Sequence, residues 1–189
     1  MVTAYLVFLG LLAAERVLEL ALSRRNAARA FARGAFEIGQ AHYRWMRLLH
    51  IAFFASCALE VLVSRRQIDL RLAIPMLALA LAAQGLRYWA IATLGERWNV
   101  RVIVMPGQPV ETGGPYRWLR HPNYLAVVIE GFAVPLAGGA WLTAIAFTAL
   151  NAWLLCVRIR AEERALTQHC EFQRKLGDRP RLVPIRVGR

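Results

Sequence analysis

Apolar residues gather in long blocks along this chain, and most polar residues fall in the intervals between them. Four or five blocks approach the ~20 residues that a helix needs to cross a bilayer. They are residues 2–22, 45–63, 72–94, 124–137 and 140–157. The last two are short and separated only by Gly138 and Gly139, so they read as one helical hairpin inserted together. Pro135, just before that turn, fits a helix stop. The first block has no basic segment ahead of it and is interrupted by Glu15, Arg16 and Glu19. It therefore reads as a retained helix and not as a signal peptide. The pattern predicts an all-α, polytopic membrane bundle of about five transmembrane helices. A single domain is expected over 1–189, with three membrane helices in 1–94 and a loop, hairpin and cytoplasmic tail in 95–189.

Composition agrees, because 58% hydrophobic residues is too many for an ordinary soluble domain. Charge then orients the bundle. The net charge is +12, and arginine supplies most of the basic residues. The first connection, the third connection and the tail from Arg158 onward hold 19 of the 24 Lys and Arg. In a five-helix bundle those three regions share one side. The other side has Arg65, Arg66 and Arg71, while Arg16 and Arg87 fall within spans. Positive residues stay inside, so the N-terminus is expected outside and the centre and tail in the cytoplasm. Arginines that flank membrane segments do not form the single stripe that nucleic acid needs. They suit anionic lipid headgroups.

One polar interval carries more information than the rest. Residues 113–124 read GGPYRWLRHPNY and run directly into the fourth block. Glycine lets backbone approach a ligand closely, and Pro122 suits the first turn of a helix. Such a turn is expected to offer free backbone N–H groups beside Arg120 and His121, a site for the anionic end of a cofactor. The blander reading is a loop entering a membrane helix, with Arg117 and Arg120 as headgroup anchors. At the end of the last block, Arg158 and Glu162 are four apart and share a helix face. Alone they read equally well as a surface ion pair. Cys57 and Cys156 fall in apolar spans and Cys170 in the tail, which implies no disulfide framework. His42, His50, His121 and His169 lack ligand spacing, so no metal site is expected.

Taken together, these motifs resemble the isoprenylcysteine carboxyl methyltransferase family, which includes relatives acting on phospholipids and polyketide lipids. The resemblance covers roughly residues 97–185. It rests on Gly114-Pro115-Tyr116, then Arg120-His121-Pro122-Asn123-Tyr124, then Arg158, Glu162, Glu163 and Leu166, and finally Val183-Pro184. It implies a small helical membrane enzyme that uses S-adenosylmethionine. By the same resemblance, the cofactor pocket uses a strand-like approach, Gln108-Pro109-Val110-Glu111, followed by Tyr116, His121, Pro122, Asn123 and Tyr124. Glu162 would hold the cofactor's positive part, Arg158 would face the substrate, and Phe172 would cover the adenine. Carboxylates and aromatic faces suit an amine and a sulfonium.

The acceptor is a lipid-like small molecule by the same likeness. Residues 97–117 look most like a bacterial branch associated with O-methylation of long-chain alkylpyrones and alkylresorcinols, which implies the bacterial inner membrane with a cytoplasmic active site. An isoprenylcysteine carboxylate or a phospholipid amine stays open as acceptor. A reductase using NADPH stays open too, because sterol-type reductases carry a similar Arg-His-Pro-Asn-Tyr turn. A scaffold or transporter fits less well, since no broken-helix pair lies mid-membrane. Methyl transfer needs alignment in a dry site, and a phenol also benefits from a base. Glu130, two turns into the fourth block, is the expected group reaching the substrate. Glu15, Arg16, Glu19, Arg87 and Glu130 are intramembrane charges, functional by default unless they neutralise one another. The oligomeric state is not legible.

Overall fold

Each apolar block lies within one long helix of the computed structural model, which describes residues 1–64 and 67–182. Arg65 and Arg66, and the Val183-Pro184 pair, lie outside the described residues. The helices are α1 (Val2–Ala32), α2 (Gln40–Ser64), α3 (Leu70–Leu94), α4 (Pro122–Ala137) and α5 (Trp141–His169), with a short α6 (Phe172–Leu176) behind them. By length and composition α2, α3 and α5 can cross a membrane, and α4 is a shorter apolar helix. The chain is an all-α membrane helix bundle.

Local chemistry sets the helix ends. Asp69 caps α3 by accepting from Arg71 N at 2.9 Å, as N-cap carboxylates do. Pro122 opens α4 as expected, whereas Pro135 sits inside the last turn and the helix runs on to Ala137. The hairpin turn follows, with Gly139 at φ +76°, a conformation that favours glycine. The start of α5 has no side-chain cap of its own. Glu60, from the far end of α2, supplies one: its carboxylate accepts from Leu142 N at 2.9 Å, Thr143 N at 2.8 Å and Thr143 Oγ1 at 2.7 Å. Glu60→Ala is expected to destabilise the protein by about 1–2 kcal/mol, the range for a lost cap at a helix dipole. Thermal unfolding in detergent checks this, and an unchanged midpoint would mean that the α5 terminus is satisfied some other way.

Packing follows membrane rules. Tyr5 and Leu9 of α1, Phe53, Cys57 and Val61 of α2, Val134 of α4 and Phe147 of α5 form the main buried cluster. Large apolar side chains such as Leu18, Leu62, Leu142 and Ile145 point outward and are exposed. That arrangement suits lipid as solvent, where shape fit and polar contacts hold helices together.

Polar contacts do so here. Arg16 of α1 donates to Glu19 at 2.8 Å, Glu15 at 3.1 Å and Gln84 of α3 at 2.7 Å. Arg87 of α3 donates to Glu130 of α4 at 2.5 and 3.2 Å. These intramembrane charges do neutralise one another, across three helices.

The α1–α2 and α3–α4 connections meet at one end of the bundle. A two-stranded antiparallel ribbon joins β1 (Phe36–Ile38) to β2 (Val102–Val104), with Glu37 opposite Ile103. Val102 and Val104 pack on Ala165 near the end of α5. The strand-like character expected at residues 108–111 falls instead at β2, and Gln108 to Glu111 follow it outside any strand.

Candidate active site at the end of the bundle

Small polar residues on α1 fix the first wall of the site. Ser23 Oγ donates to Asn99 Oδ1 at 2.7 Å and accepts from Val100 N at 3.2 Å, and Asn99 Nδ2 donates to Ser23 O at 2.9 Å. Asn26 Nδ2 donates to Trp98 O at 2.9 Å and Gly95 O at 3.2 Å. Ser23, Asn26 and Trp98 are each about 2% exposed, so the Trp98-Asn99-Val100 segment is pinned tightly.

The glycine-proline turn forms the second wall. Gly114 has φ +50°, and a Cβ there would run into Thr93 of α3. The turn therefore lies flat on α3 and buries Pro115 and Tyr116. Burial pushes the Tyr116 phenol above its ordinary pKa. Glu111 accepts from Gly113 N at 2.8 Å and Thr112 N at 3.0 Å and pairs with Arg97. The Gly113 amide, with Arg97 beside it, holds that carboxyl below its ordinary value.

Two cavities meet between these walls. The polar one is lined by Gln108, Pro109, Val110, Glu111, Tyr116, His121, Asn123, Tyr124 and Glu162, which is nine of the ten residues expected to bind a cofactor. Pro122 is not on its wall; it is buried at the α4 start. Phe172 lines the same cavity. Sequence reasoning missed Leu94, Ile103, Met105 and Leu176, which also line it. The second cavity is apolar, about 410 Å³, and is lined mainly by α1 and α2, with Arg158 on its wall. Trp98, Asn99, Asn123 and Tyr124 line both.

Tyr124 joins the two sides. Its hydroxyl donates to Glu162 Oε2 and accepts from Arg158 Nε at 2.6 Å. Arg158 and Glu162 are thus coupled through a tyrosine, in place of the direct i, i+4 pair that their spacing predicts. Arg158 is 3% exposed and is held a second time by donating from Nη2 to Val100 O at 2.7 Å. Its Nη1 reaches Met46 Sδ at 3.9 Å, a weak acceptor, and is free to bind a ligand oxygen.

The Arg120-His121 turn serves a different purpose from the one expected. Arg120 N donates to Pro180 O at 2.9 Å and His121 N to Arg181 O at 3.1 Å. The Arg120 guanidinium binds Arg179 O at 2.6 Å and Gly177 O. Glu163 sits between them, accepting from His121 Nε2 at 3.1 Å, Arg120 Nη1 at 3.4 Å and Arg181 Nη2 at 2.7 Å. The turn's donors and cations therefore latch the tail, because its carbonyls lie beside them.

Glu130 also departs from expectation. Its carboxylate faces Arg87 and a small cavity next to Phe147, not the wall of either cavity that meets at Tyr124. Arg87 itself does line the apolar chamber. No cluster able to hold a metal ion occurs among the described residues.

Residues 76–168 match the model of the isoprenylcysteine carboxyl methyltransferase (ICMT) family, a stretch that runs from α3 to the end of α5. The uncharacterized protein YpbQ of Bacillus subtilis (strain 168) is 38% identical over 163 residues, 86% of this chain and 96% of its own length. An uncharacterized protein of Haemophilus influenzae (strain ATCC 51907 / DSM 11121 / KW20 / Rd) is 26% identical over 155 residues, 82% of this chain and 90% of its own. No solved structure matches. The reductase reading rested on the Arg-His-Pro-Asn-Tyr turn alone and gives way to a match that spans both walls and the hairpin. The chain belongs to the isoprenylcysteine carboxyl methyltransferase family and is a membrane methyltransferase of that type.

Proposed function

We propose that this enzyme transfers the methyl group of S-adenosylmethionine to an oxygen of a lipid-like acceptor, with a long-chain alkylpyrone or alkylresorcinol as the favoured class. The observation that carries this reading is the shared wall: a polar cavity and an apolar chamber meet at Trp98, Asn99, Asn123 and Tyr124. A methyl donor and a lipid acceptor need that adjacency, since transfer requires both reactants aligned away from water.

The polar cavity fits the cofactor chemically. Glu162 is a carboxylate for a cationic amine, and Tyr116, Tyr124 and Phe172 offer aromatic faces, while the Glu111–Arg97 pair and the Arg120 latch hold the walls around them. Among the described residues, Trp98 Nε1 and Asn123 Oδ1 are buried without a hydrogen-bond partner, and buried polar atoms normally have one. When bound, S-adenosylmethionine supplies a methyl group on a cationic sulfur. Glu162 and the tyrosine faces hold that positive region. The chain at Gln108, Pro109 and Val110 borders the remainder, His121 and Pro122 set the entry of α4, and Phe172 covers the adenine. Arg158 Nη1 holds the acceptor oxygen at the shared wall, and the apolar chamber takes the alkyl part. Glu130 acts at one remove, by holding Arg87 on the chamber wall. The arginine asymmetry supports a cytoplasmic active site in a bacterial inner membrane.

The test is radiolabelled methyl transfer by detergent-purified enzyme, with an alkylpyrone, an alkylresorcinol and a farnesylated cysteine analogue in parallel. Label is expected in the first two. Label in the farnesylated thioether alone would overturn the polyketide reading and favour carboxyl methylation, while label in phosphatidylethanolamine would favour N-methylation of phospholipid.

A further inference from the structure

Tyr43 of α2 stands on the wall of the apolar chamber. It is half-buried, and its hydroxyl has no hydrogen-bond partner among the described residues. Its place beside Arg158 is set from two sides. On one side, the ribbon pairs Ile38 with Val102, two residues beyond the Val100 carbonyl that holds Arg158 Nη2. Gly39 follows at φ +71° and lies against the His42 ring, where a Cβ would not fit. Its carbonyl accepts from Tyr43 N at 3.2 Å. The ribbon thereby brings the first turn of α2 to the segment that anchors the guanidinium. On the other side, Met46 lies three residues after Tyr43 and shares its helix face. Met46 Sδ is 3.9 Å from Arg158 Nη1, and Tyr43 is itself an electrostatic neighbour of Arg158.

We infer that Tyr43 is a second donor to the reacting oxygen of the acceptor, converging with Arg158 Nη1 on the atom that receives the methyl group. A guanidinium only donates, and a tyrosine hydroxyl beside it has its proton to give. Two donors together suit an ionised oxygen, because hydrogen bonds to a charge are shorter and stronger. The oxygen of an acidic enol, or of a phenol that has lost its proton to water before binding, accepts from both and still presents a lone pair to the methyl carbon. That lone pair forms the O–C bond as the C–S bond breaks and its electron pair stays on sulfur. The negative charge on oxygen and the positive charge on sulfur cancel, so no proton moves and no base is required. The inference rests on Arg158 as the holder of the acceptor oxygen. It adds a residue from an N-terminal helix, outside the 76–168 stretch that the family model matches.

The test compares wild type with Tyr43→Phe, which loses the hydroxyl alone. The acceptor is an alkylpyrone or an alkylresorcinol, whichever takes label faster. The variant should lose tenfold or more in kcat/KM for methyl transfer, while S-adenosylmethionine affinity, read by calorimetry, stays constant. A competitive inhibitor with hydrogen in place of the reacting hydroxyl separates contact from shape. Its inhibition constant should be equal in the two proteins, since it offers Tyr43 no oxygen to hold. An unchanged kcat/KM overturns the inference. So does an inhibitor that weakens in step with the substrate, because Tyr43 then only shapes the chamber. If wild type labels the farnesylated cysteine analogue alone, the polyketide reading falls, and the same comparison with the decarboxylated analogue as inhibitor decides the inference. Methylation of a phospholipid amine alone removes both.

Discussion

Replacing Arg158 by lysine is expected to lower methyl transfer at least tenfold, about 1.4 kcal/mol or more in the barrier, with S-adenosylmethionine affinity nearly unchanged. The buried guanidinium works in three directions at once. Nε donates to Tyr124, Nη2 to Val100 O at 2.7 Å, and Nη1 stays open on the apolar chamber. An ammonium on a flexible stem cannot hold that planar fork, so lysine keeps the charge and loses the aim. Arg158→Ala should cost more, because it also leaves the Val100 carbonyl without its donor in a buried place. Glu162→Gln is the complementary variant. It should weaken S-adenosylmethionine binding by about 1.5–3 kcal/mol, the range for a hydrogen bond to a charged group. Tyr124 couples the two residues, so the separation is a matter of degree: methyl transfer falls most in one variant, cofactor affinity in the other. Calorimetry and initial rates on the same preparations give both numbers. Equal loss of cofactor affinity in the Arg158 and Glu162 variants would mean that Arg158 is structural.

How much of this was legible in the sequence depends on the range of the interaction. Five helices follow from five apolar blocks, and the Gly138-Gly139 turn and Pro122 at the start of α4 are local signals that the structure reproduces. Part of the polar cavity was readable because nine of its twenty lining residues come from one contiguous stretch, residues 108–124, with Glu162 added by the likeness of the Arg158 motif. What stayed hidden is long-range. Nothing local marks Ser23 and Asn26 as the clamp on Trp98 and Asn99, which are more than 70 residues away. Nothing local tells that Glu60 caps α5, or that the tail's carbonyls reach the Arg120-His121 turn before any ligand can. The i, i+4 rule found the right face for Arg158 and Glu162 but could not foresee a tyrosine from α4 between them. The ribbon of Phe36–Ile38 with Val102–Val104 escaped notice for a similar reason, since three residues per strand are too few to show a period.

Removing the Glu130 carboxylate is expected to be the most damaging single change to stability. Among the described residues, the Arg87 guanidinium in Glu130→Ala keeps only Glu19 as an ion-pair partner, at 3.8 Å, and its side chain is 7% exposed. Breaking a buried pair by deleting one partner typically destabilises by about 3–5 kcal/mol, and here the guanidinium loses both of its bonds to Glu130 and is left with the longer Glu19 contact. Arg87→Met/Glu130→Leu removes one charge of each sign and fills the space with apolar atoms. Buried pairs replaced in this way are often neutral or better, so the double variant should recover most of the lost stability. Thermal unfolding in detergent provides the comparison. A double variant no more stable than Glu130→Ala would mean that the pair contributes by geometry and not by mutual neutralisation. Methyl transfer in the same proteins then separates two roles for Glu130. If it holds Arg87 on the chamber wall, the refolded double variant should lose acceptor affinity, seen as a raised KM with kcat less affected. A collapse of kcat in a stable double variant would place Glu130 in contact with the acceptor, and unchanged kinetics would leave the pair as a helix clamp between α3 and α4.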